Sequence, residues 1–343
     1  MSSSSSPRVA SRTFKIAVVG CGALGSYYGG RLSWFGQDVH FLLRSDYDIV
    51  RRRGVRVLSP DGDFQFRPRC ARHAEEIGVC DGVLIGLKST ANSEFPRLLR
   101  PLVGPSTAVL TLQNGLGNEE ALAALFSPEQ ILGGLCFVCL NRVEPGLIQH
   151  IAHGRISLGE YRRWPEPRTH DWASIFRNAG VPCEVTDNLA RAHWEKLVWN
   201  IPFNGLGVAG AVGVNALDRG EVDLHAPLGP CLATDQLLGE PRWEQWVRDL
   251  MREVIAAARG IGFEVDAVWE ERHIEHTRSM GRYRASTLID FERGQPLELE
   301  ALFLEPLRQA RAAGVSTPRL ERLCGVLAAL EKRPGHGGLA SPC

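Results

Sequence analysis

The sequence predicts an α/β protein in which a doubly wound, largely parallel sheet comes first and a mainly α-helical domain follows. Three features predict it. A glycine-rich turn, Gly20-Cys21-Gly22-Ala23-Leu24-Gly25, stands between the apolar run from Phe14 to Val19 and a helix-like stretch from Ser26 to Leu32. Strand-like runs and helical stretches then alternate as far as about Thr186, as in a sheet covered by crossover helices. Beyond Thr186 the apolar spacing changes to three and four, the period of helices.

The glycine-rich turn and the second apolar run, Val39 to Leu43, complete a βαβ unit near the N-terminus. In such a unit the first glycine permits the tight turn, the second lets backbone approach a pyrophosphate, and the third lets helix pack on strand. The helix N-terminus then faces the negative charge. Gly20, Cys21, Gly22, Ala23, Leu24 and Gly25 are therefore expected to bind a dinucleotide in a Rossmann-like domain. An acid at the end of the second strand would bind the ribose 2′-hydroxyl of NAD, but the residue there is Arg44. A guanidinium suits a 2′-phosphate in charge and forked geometry, so Arg44, helped by Ser45, favours NADPH/NADP+. Asp46 or Asp48 becomes the ribose partner instead if the strand ends later.

Further strands are expected at 82–87, 108–112, 132–140, 155–158 and 182–185, with ligands at their carboxyl ends. Lys88 closes the first of these, and Leu112-Gln113-Asn114-Gly115-Leu116-Gly117-Asn118 closes the second. Lys88 and Asn114 are candidate cofactor contacts because cation and amide converge on the nicotinamide crevice. Read singly, one is a strand-end surface lysine and the other part of an ordinary turn.

Composition narrows the classes. The 343 residues suffice for two cores, and four segments are expected: a disordered extension 1–12, an NADP-binding domain 13–186, a helical substrate domain 187–332 and a loose tail 333–343. The balanced charge and the lack of a membrane-length apolar run argue against nucleic acid and membranes as partners, leaving a small molecule. Nine scattered cysteines suit a reducing compartment, so a cytoplasmic location is expected. Cys136-Phe137-Val138-Cys139 lies in a strand-like run and reads as buried thiols. His273 and His276 beside Glu270, Glu271 and Glu275 lack zinc-site spacing and read as a solvated helix, with no metal expected.

In the second half, Val247, Leu250, Met251, Val254 and Ala258 form one apolar stripe stopped by Gly260 and Gly262, and another helical stretch runs from about Leu297 to Ala313. Exposed Trp or Leu on this domain would support a homodimer. Trp194 to Asn204 holds the chemistry: Lys196, Asn200 and Asn204 recur every four residues and share a helix face. A polar strip in an otherwise apolar helix is costly unless something pairs with it. Pro202 removes a helix hydrogen bond, placing Asn204 past an expected kink.

With these pieces in order, the chain from about Phe14 to Lys332 resembles the ketopantoate reductase (2-dehydropantoate 2-reductase) family. The resemblance rests on Gly20 to Gly25, Arg44, Leu87-Lys88, Thr111 to Gly117, Trp194-Glu195-Lys196-Leu197 with Asn200 and Asn204, and Ser286 followed by Glu298. It implies NADPH-dependent reduction of a branched 2-oxo acid in pantothenate and coenzyme A biosynthesis. By resemblance, Lys196 is the general acid and Glu298 contacts the substrate hydroxyl, while Asn114, Asn200, Asn204 and Ser286 hold the substrate. Lys88 and Arg44 would grip the cofactor. An ammonium at the carbonyl oxygen stabilises the developing charge and supplies the proton.

The chain departs from the family pattern around Glu298, where Leu297-Glu298-Leu299-Glu300 and Phe303-Leu304 stand in place of Thr-Glu-Ile-Asp and a later Asn-Gly. Added apolar bulk there is expected to reshape the pocket beside the substrate hydroxyl. Three readings follow: a ketopantoate reductase, a reductase of the same architecture for another carbonyl compound, and a non-catalytic NADPH-binding regulator.

Overall fold

The computed structural model of the protein describes residues 13–333; the expected extension 1–12 and the tail from 334 lie outside the described residues. The chain divides into two compact units. The first comprises the chain to Leu87, Ser93–Gln113 and Leu122–Asp187. The second comprises Lys88–Asn92, Asn114–Ala121 and the chain from Asn188. Two short segments of the N-terminal half, those carrying Lys88 and Asn114, thus belong to the helical unit.

The first unit holds one ten-stranded sheet. Its strands are β1 (Lys15–Val19), β2 (Asp38–Leu42), β3 (Val55–Leu58), β4 (Phe64–Phe66), β5 (Arg69–Ala71), β6 (Gly82–Ile85), β7 (Ala108–Thr111), β8 (Ile131–Glu144), β9 (Leu147–Glu160) and β10 (Cys183–Val185). The run β5-β2-β1-β6-β7-β8 is parallel throughout, the 3-2-1-4-5-6 order of a doubly wound sheet. Beyond it β8 and β9 form a long antiparallel hairpin, and β9 pairs in parallel with both β3 and β10. Helices α1 (Ala23–Trp34), α2 (Tyr47–Arg53), α3 (Phe95–Leu99), α4 (Asn118–Ala123) and α5 (Pro167–Asn178) interleave the strands, and the unit boundary falls inside α4.

Parallel strands buried on both faces must be apolar at every position. Ile16, Ala17, Val18 and Val19 of β1 and Val83, Leu84 and Ile85 of β6 meet this, each at most 1% exposed. Cys136 and Cys139 are buried thiols in β8, as the strand-like run predicts. The sequence reading missed β3, β4 and β5 and saw only the end of β9, whose first half alternates polar and apolar residues around a bulged hairpin.

The second unit is helical: α6 (Leu189–Ala209), α7 (Val214–Arg219), α8 (Thr234–Gly239), α9 (Pro241–Ile261), α10 (Val268–Met280), α11 (Ser286–Glu292), α12 (Glu305–Ala312) and α13 (Pro318–Glu331). Asn188 caps α6 by accepting from the Arg191 amide at 2.9 Å. Val247, Leu250, Met251, Val254 and Ala258 of α9 are fully buried, and α9 ends at Gly262, whose φ of 103° only glycine adopts readily. α6 continues through Pro202 to Ala209 without interruption, so Asn204 lies inside the same helix as Lys196. Burial of nearly all of α6 from Leu197 onward offsets the lost hydrogen bond. No tryptophan of this unit is exposed; its large exposed apolar side chains among the described residues are Leu228 and Val268. Trp194, Trp243 and Trp246 instead fill its core.

Candidate active site

The glycine-rich turn sits where β1 and the neighbouring β6 diverge, the topological switch point of the sheet. Gly20 has a φ of 93°, and a Cβ there would lie 2.3 Å from the Leu87 amide nitrogen. A Cβ on Gly86 would lie 2.9 Å from both the Gly20 oxygen and the Gly25 nitrogen. The turn and the end of β6 therefore touch backbone to backbone, which makes Gly86 a fourth required glycine that the motif alone did not reveal. Cys21 fixes the turn from below, its Sγ lying 3.3 Å from the Leu42 carbonyl, and burial pushes its thiol far up. Gly22 caps α1 with no side-chain hydrogen bond and open space beside its Cα, leaving the first amides of the helix for an anion.

Arg44 stands exposed two residues beyond β2 and makes no ion pair among the described residues. The competing acids are engaged elsewhere. Asp46 accepts from Arg142 at 2.6 Å and from Ser45 Oγ at 3.0 Å, while Asp48 takes Arg72 at 2.7 Å on both oxygens. With the acids neutralised and the guanidinium open, these residues fit a dinucleotide carrying a 2′-phosphate better than a free ribose hydroxyl.

Within the helical unit, Lys196 of α6 donates from Nζ to Asn114 Oδ1 at 2.8 Å. Lys196 is half-buried. The loop bearing Asn114 is fixed by its own amides: Asn118 Nδ2 donates to the Asn114 carbonyl at 3.0 Å, and Asn92 Nδ2 donates to Asn118 Oδ1 at 2.9 Å. Gly115, with a φ of 86°, lies so close to the Ala301 carbonyl that a Cβ would approach it to 2.4 Å. The Leu116 amide donates to that same carbonyl at 2.9 Å.

One turn beyond Lys196, Asn200 is 7% exposed, and its side-chain amide has no protein partner among the described residues. Asn204 is differently placed. Its Oδ1 accepts from the Thr287 amide at 3.1 Å and lies 3.4 Å from Ser286 Oγ, and its Nδ2 donates to the Asn200 carbonyl at 3.0 Å. Asn204 thus anchors the start of α11 and holds Ser286 in place. Glu298 is buried, with Oε1 accepting from the Ser89 amide at 2.8 Å. Lys88, expected at the cofactor, is ion-paired here to Asp290 of α11.

The segment around Glu298 packs its apolar bulk into the helical core. Residues Glu300–Leu304 form a π-helical turn, and Leu297, Leu299, Leu302 and Phe303 all join the helical core. The Phe303 ring lies against α6 at Gly205, where a Cβ would meet it at 2.8 Å. Glu270 and Glu271 are occupied by Arg248, and Glu270 also by Arg252. Among the described residues no cluster of His, Cys, Asp or Glu is arranged to hold a metal, and no helix is long and apolar enough to cross a membrane. His273 is not solvated as expected: it stacks on Trp269 with centroids 5.1 Å apart, and burial lowers its pKa to about 4.

Comparison with known proteins shows the family and the fold. A family model described as ketopantoate reductase PanE/ApbA matches residues 16–163, and the model of that family's C terminal part matches 228–331. A 2-dehydropantoate 2-reductase of Nostoc sp. is 38% identical over 331 residues, covering 95% of this chain and 98% of its own. An uncharacterized oxidoreductase of Bacillus subtilis, YkpB, is 30% identical across 90% of this chain and 95% of its own. The crystal structure of 2-dehydropantoate 2-reductase from Geobacter metallireducens aligns with a TM-score of 0.83 and 45% identity over 91% of this chain and 98% of that one. D-mandelate dehydrogenase, solved with NADH and anilino(oxo)acetate, shares the fold at 19% identity with a TM-score of 0.77. The chain is an oxidoreductase and belongs to the ketopantoate reductase family.

Proposed function

We propose that this protein reduces 2-dehydropantoate to pantoate with NADPH, Lys196 acting as the proton donor. The observation that carries the reading is the 2.8 Å contact from Lys196 Nζ to Asn114 Oδ1, with the uncommitted amide of Asn200 one turn further along α6. An ammonium has three hydrogens, and Asn114 takes one, which aims the others. When bound, NADPH supplies the hydride.

As carbon 2 gains hydride, the carbonyl π pair moves onto oxygen and Lys196 Nζ transfers its proton there. The product is a secondary alcohol, and the amine left on Lys196 regains a proton from water. The ammonium favours the transition state because charge on that oxygen exists mainly there. Asn200 offers the substrate carboxylate a neutral donor that orients without trapping product. Glu298 Oε1 is held by Ser89, so Oε2 is left to accept from the substrate's hydroxyl. Ser286, held by Asn204, is a further polar contact. Gly20, Cys21, Gly22, Ala23, Leu24, Gly25 and Arg44 hold the cofactor. A homodimer is the expected assembly, to be measured by light scattering.

The test follows loss of NADPH absorbance with 2-dehydropantoate, 2-oxoisovalerate, 2-oxobutyrate and 2-oxoglutarate, repeated with NADH. A site built to bind a hydroxyl should reject analogues lacking it by orders of magnitude. Equal use of 2-oxoisovalerate would refute the assignment of substrate. NADPH binding without turnover of any acid would refute the enzymatic reading.

A further inference from the structure

The mechanism leaves unused a buried pair beside Lys196. His193 precedes Lys196 by three residues on α6, so the two share a face. Glu119 directly follows Asn118 in the first turn of α4, at the end of the loop that supplies Asn114. His193 Nε2 and Glu119 Oε1 are 3.0 Å apart, and the residues are only 7% and 4% exposed. A carboxylate oxygen can only accept, so Nε2 carries the hydrogen.

We propose that His193 and Glu119 are positioning residues that clamp the Asn114 loop to α6 and so set the Lys196–Asn114 contact. The inference rests on the reading of Lys196 as proton donor. The loop is already fixed by its own amides and by the Ala301 carbonyl, but those contacts run to Asn92 and Ala301, not to α6. Between Asn114 and Glu119 it contains Gly115 and Gly117, both at positive φ, so its backbone is intrinsically permissive. α6 holds it at two points, through Lys196 to Asn114 at 2.8 Å and through His193 to Glu119 at 3.0 Å. The first contact is also the reacting group, whose hydrogens must be aimed at substrate. The second therefore ties the loop to α6 without using the reacting group. Burying a carboxylate is costly unless it is paired, and an apolar pair of similar volume would cost less. Geometry at the lysine accounts for the polar choice.

The test compares His193→Leu, Glu119→Leu, the double leucine variant and Glu119→Gln, by kcat, KM, NADPH affinity, melting temperature and the isotope effect with 4-deuterated NADPH. Each single leucine variant is expected to lower kcat roughly tenfold to hundredfold, the cost of a displaced catalytic group. NADPH affinity should hold, and the isotope effect should rise as chemistry becomes rate-limiting. The double variant should be no slower than the slower single, and Glu119→Gln, which keeps the acceptor, should recover most of kcat. Val254→Ala, a buried change in α9, serves as a control that lowers melting temperature and leaves kcat at the wild-type value. Folded leucine variants with wild-type kcat, or losses that follow melting temperature alone, would overturn the proposal. If the leucine variants do not fold, Glu119→Asp, shorter by one methylene, replaces them with the same expected loss. Lys196→Ala in the same series separates the two readings. Unchanged turnover there removes the proton donor itself, whereas a slow Lys196→Ala beside fast pair variants removes only the clamp.

Discussion

Asn114 Oδ1 accepts a hydrogen from Lys196 Nζ at 2.8 Å although the two residues lie 82 positions apart in the chain. The contact does two things for one ammonium: it fixes its direction and fills one of its three hydrogens. Replacing Lys196 with Ala should lower kcat by about 10²–10⁴-fold, the usual worth of a general acid. Binding of NADPH, measured by fluorescence titration, should change little, because the loss belongs to the transition state. Asn114→Ala should be milder in kcat. Unchanged turnover in Lys196→Ala would exclude the residue from the chemistry.

Arg44 provides a separate test of the cofactor. Asp46 and Asp48 are bound to Arg142 and Arg72, which leaves Arg44 as the open charge beyond β2. Arg44→Ser should weaken NADPH by about 10- to 100-fold, the worth of a charge-assisted hydrogen bond, and leave NADH nearly unaffected. Equal weakening of both cofactors would assign Arg44 a general role instead of a 2′-phosphate contact.

What the sequence made legible was local. The turn from Gly20 to Gly25 announces itself because its glycine spacing answers a single backbone problem, and Lys196, Asn200 and Asn204 stand out because helix geometry puts positions four apart on one face. Pairings set by the tertiary fold were hidden: Lys88 with Asp290, His193 with Glu119 and Asn92 with Asn118. Asn204 shares the polar face, yet its side-chain Oδ1 is taken by the Thr287 amide at the start of α11, a fact no periodicity carries. Strands β3, β4 and β5 span only 3 or 4 residues each, too short for alternation to register. Nor did the sequence show that Glu300–Leu304 form a π-helical turn whose Leu302 and Phe303 enter the helical core.

Phe303 shows the consequence. Its ring is wholly buried against Gly205 and Leu323 belongs to the same core. Phe303→Ala should therefore destabilise the protein by about 3–5 kcal/mol, measured by urea unfolding. The ratio of kcat/KM for 2-dehydropantoate to that for 2-oxoisovalerate should stay the same. A changed ratio at unchanged stability would return Phe303 to the substrate pocket.

His273 sets the response to acid. It packs on Trp269 and its Nε2 lies 3.4 Å from the Glu195 carbonyl of α6, while burial, with a smaller push from His276, lowers its pKa from 6.5 to about 4. Between those two values the unfolded chain binds a proton that the folded one does not. Stability from this residue is thus fully present above about pH 6.5 and is lost as pH falls towards 4. A shift of this size amounts to roughly 3–4 kcal/mol. Urea unfolding at pH 7 and pH 5 should show the wild type losing part of that amount, and His273→Gln, which cannot take up a proton, should lose correspondingly less over the same interval. Because the imidazole leans on the helix that carries Lys196, the same interval should bring a loss of turnover reversible on return to neutral pH in the wild type. Identical acid sensitivity of wild type and His273→Gln would place the responsible group elsewhere.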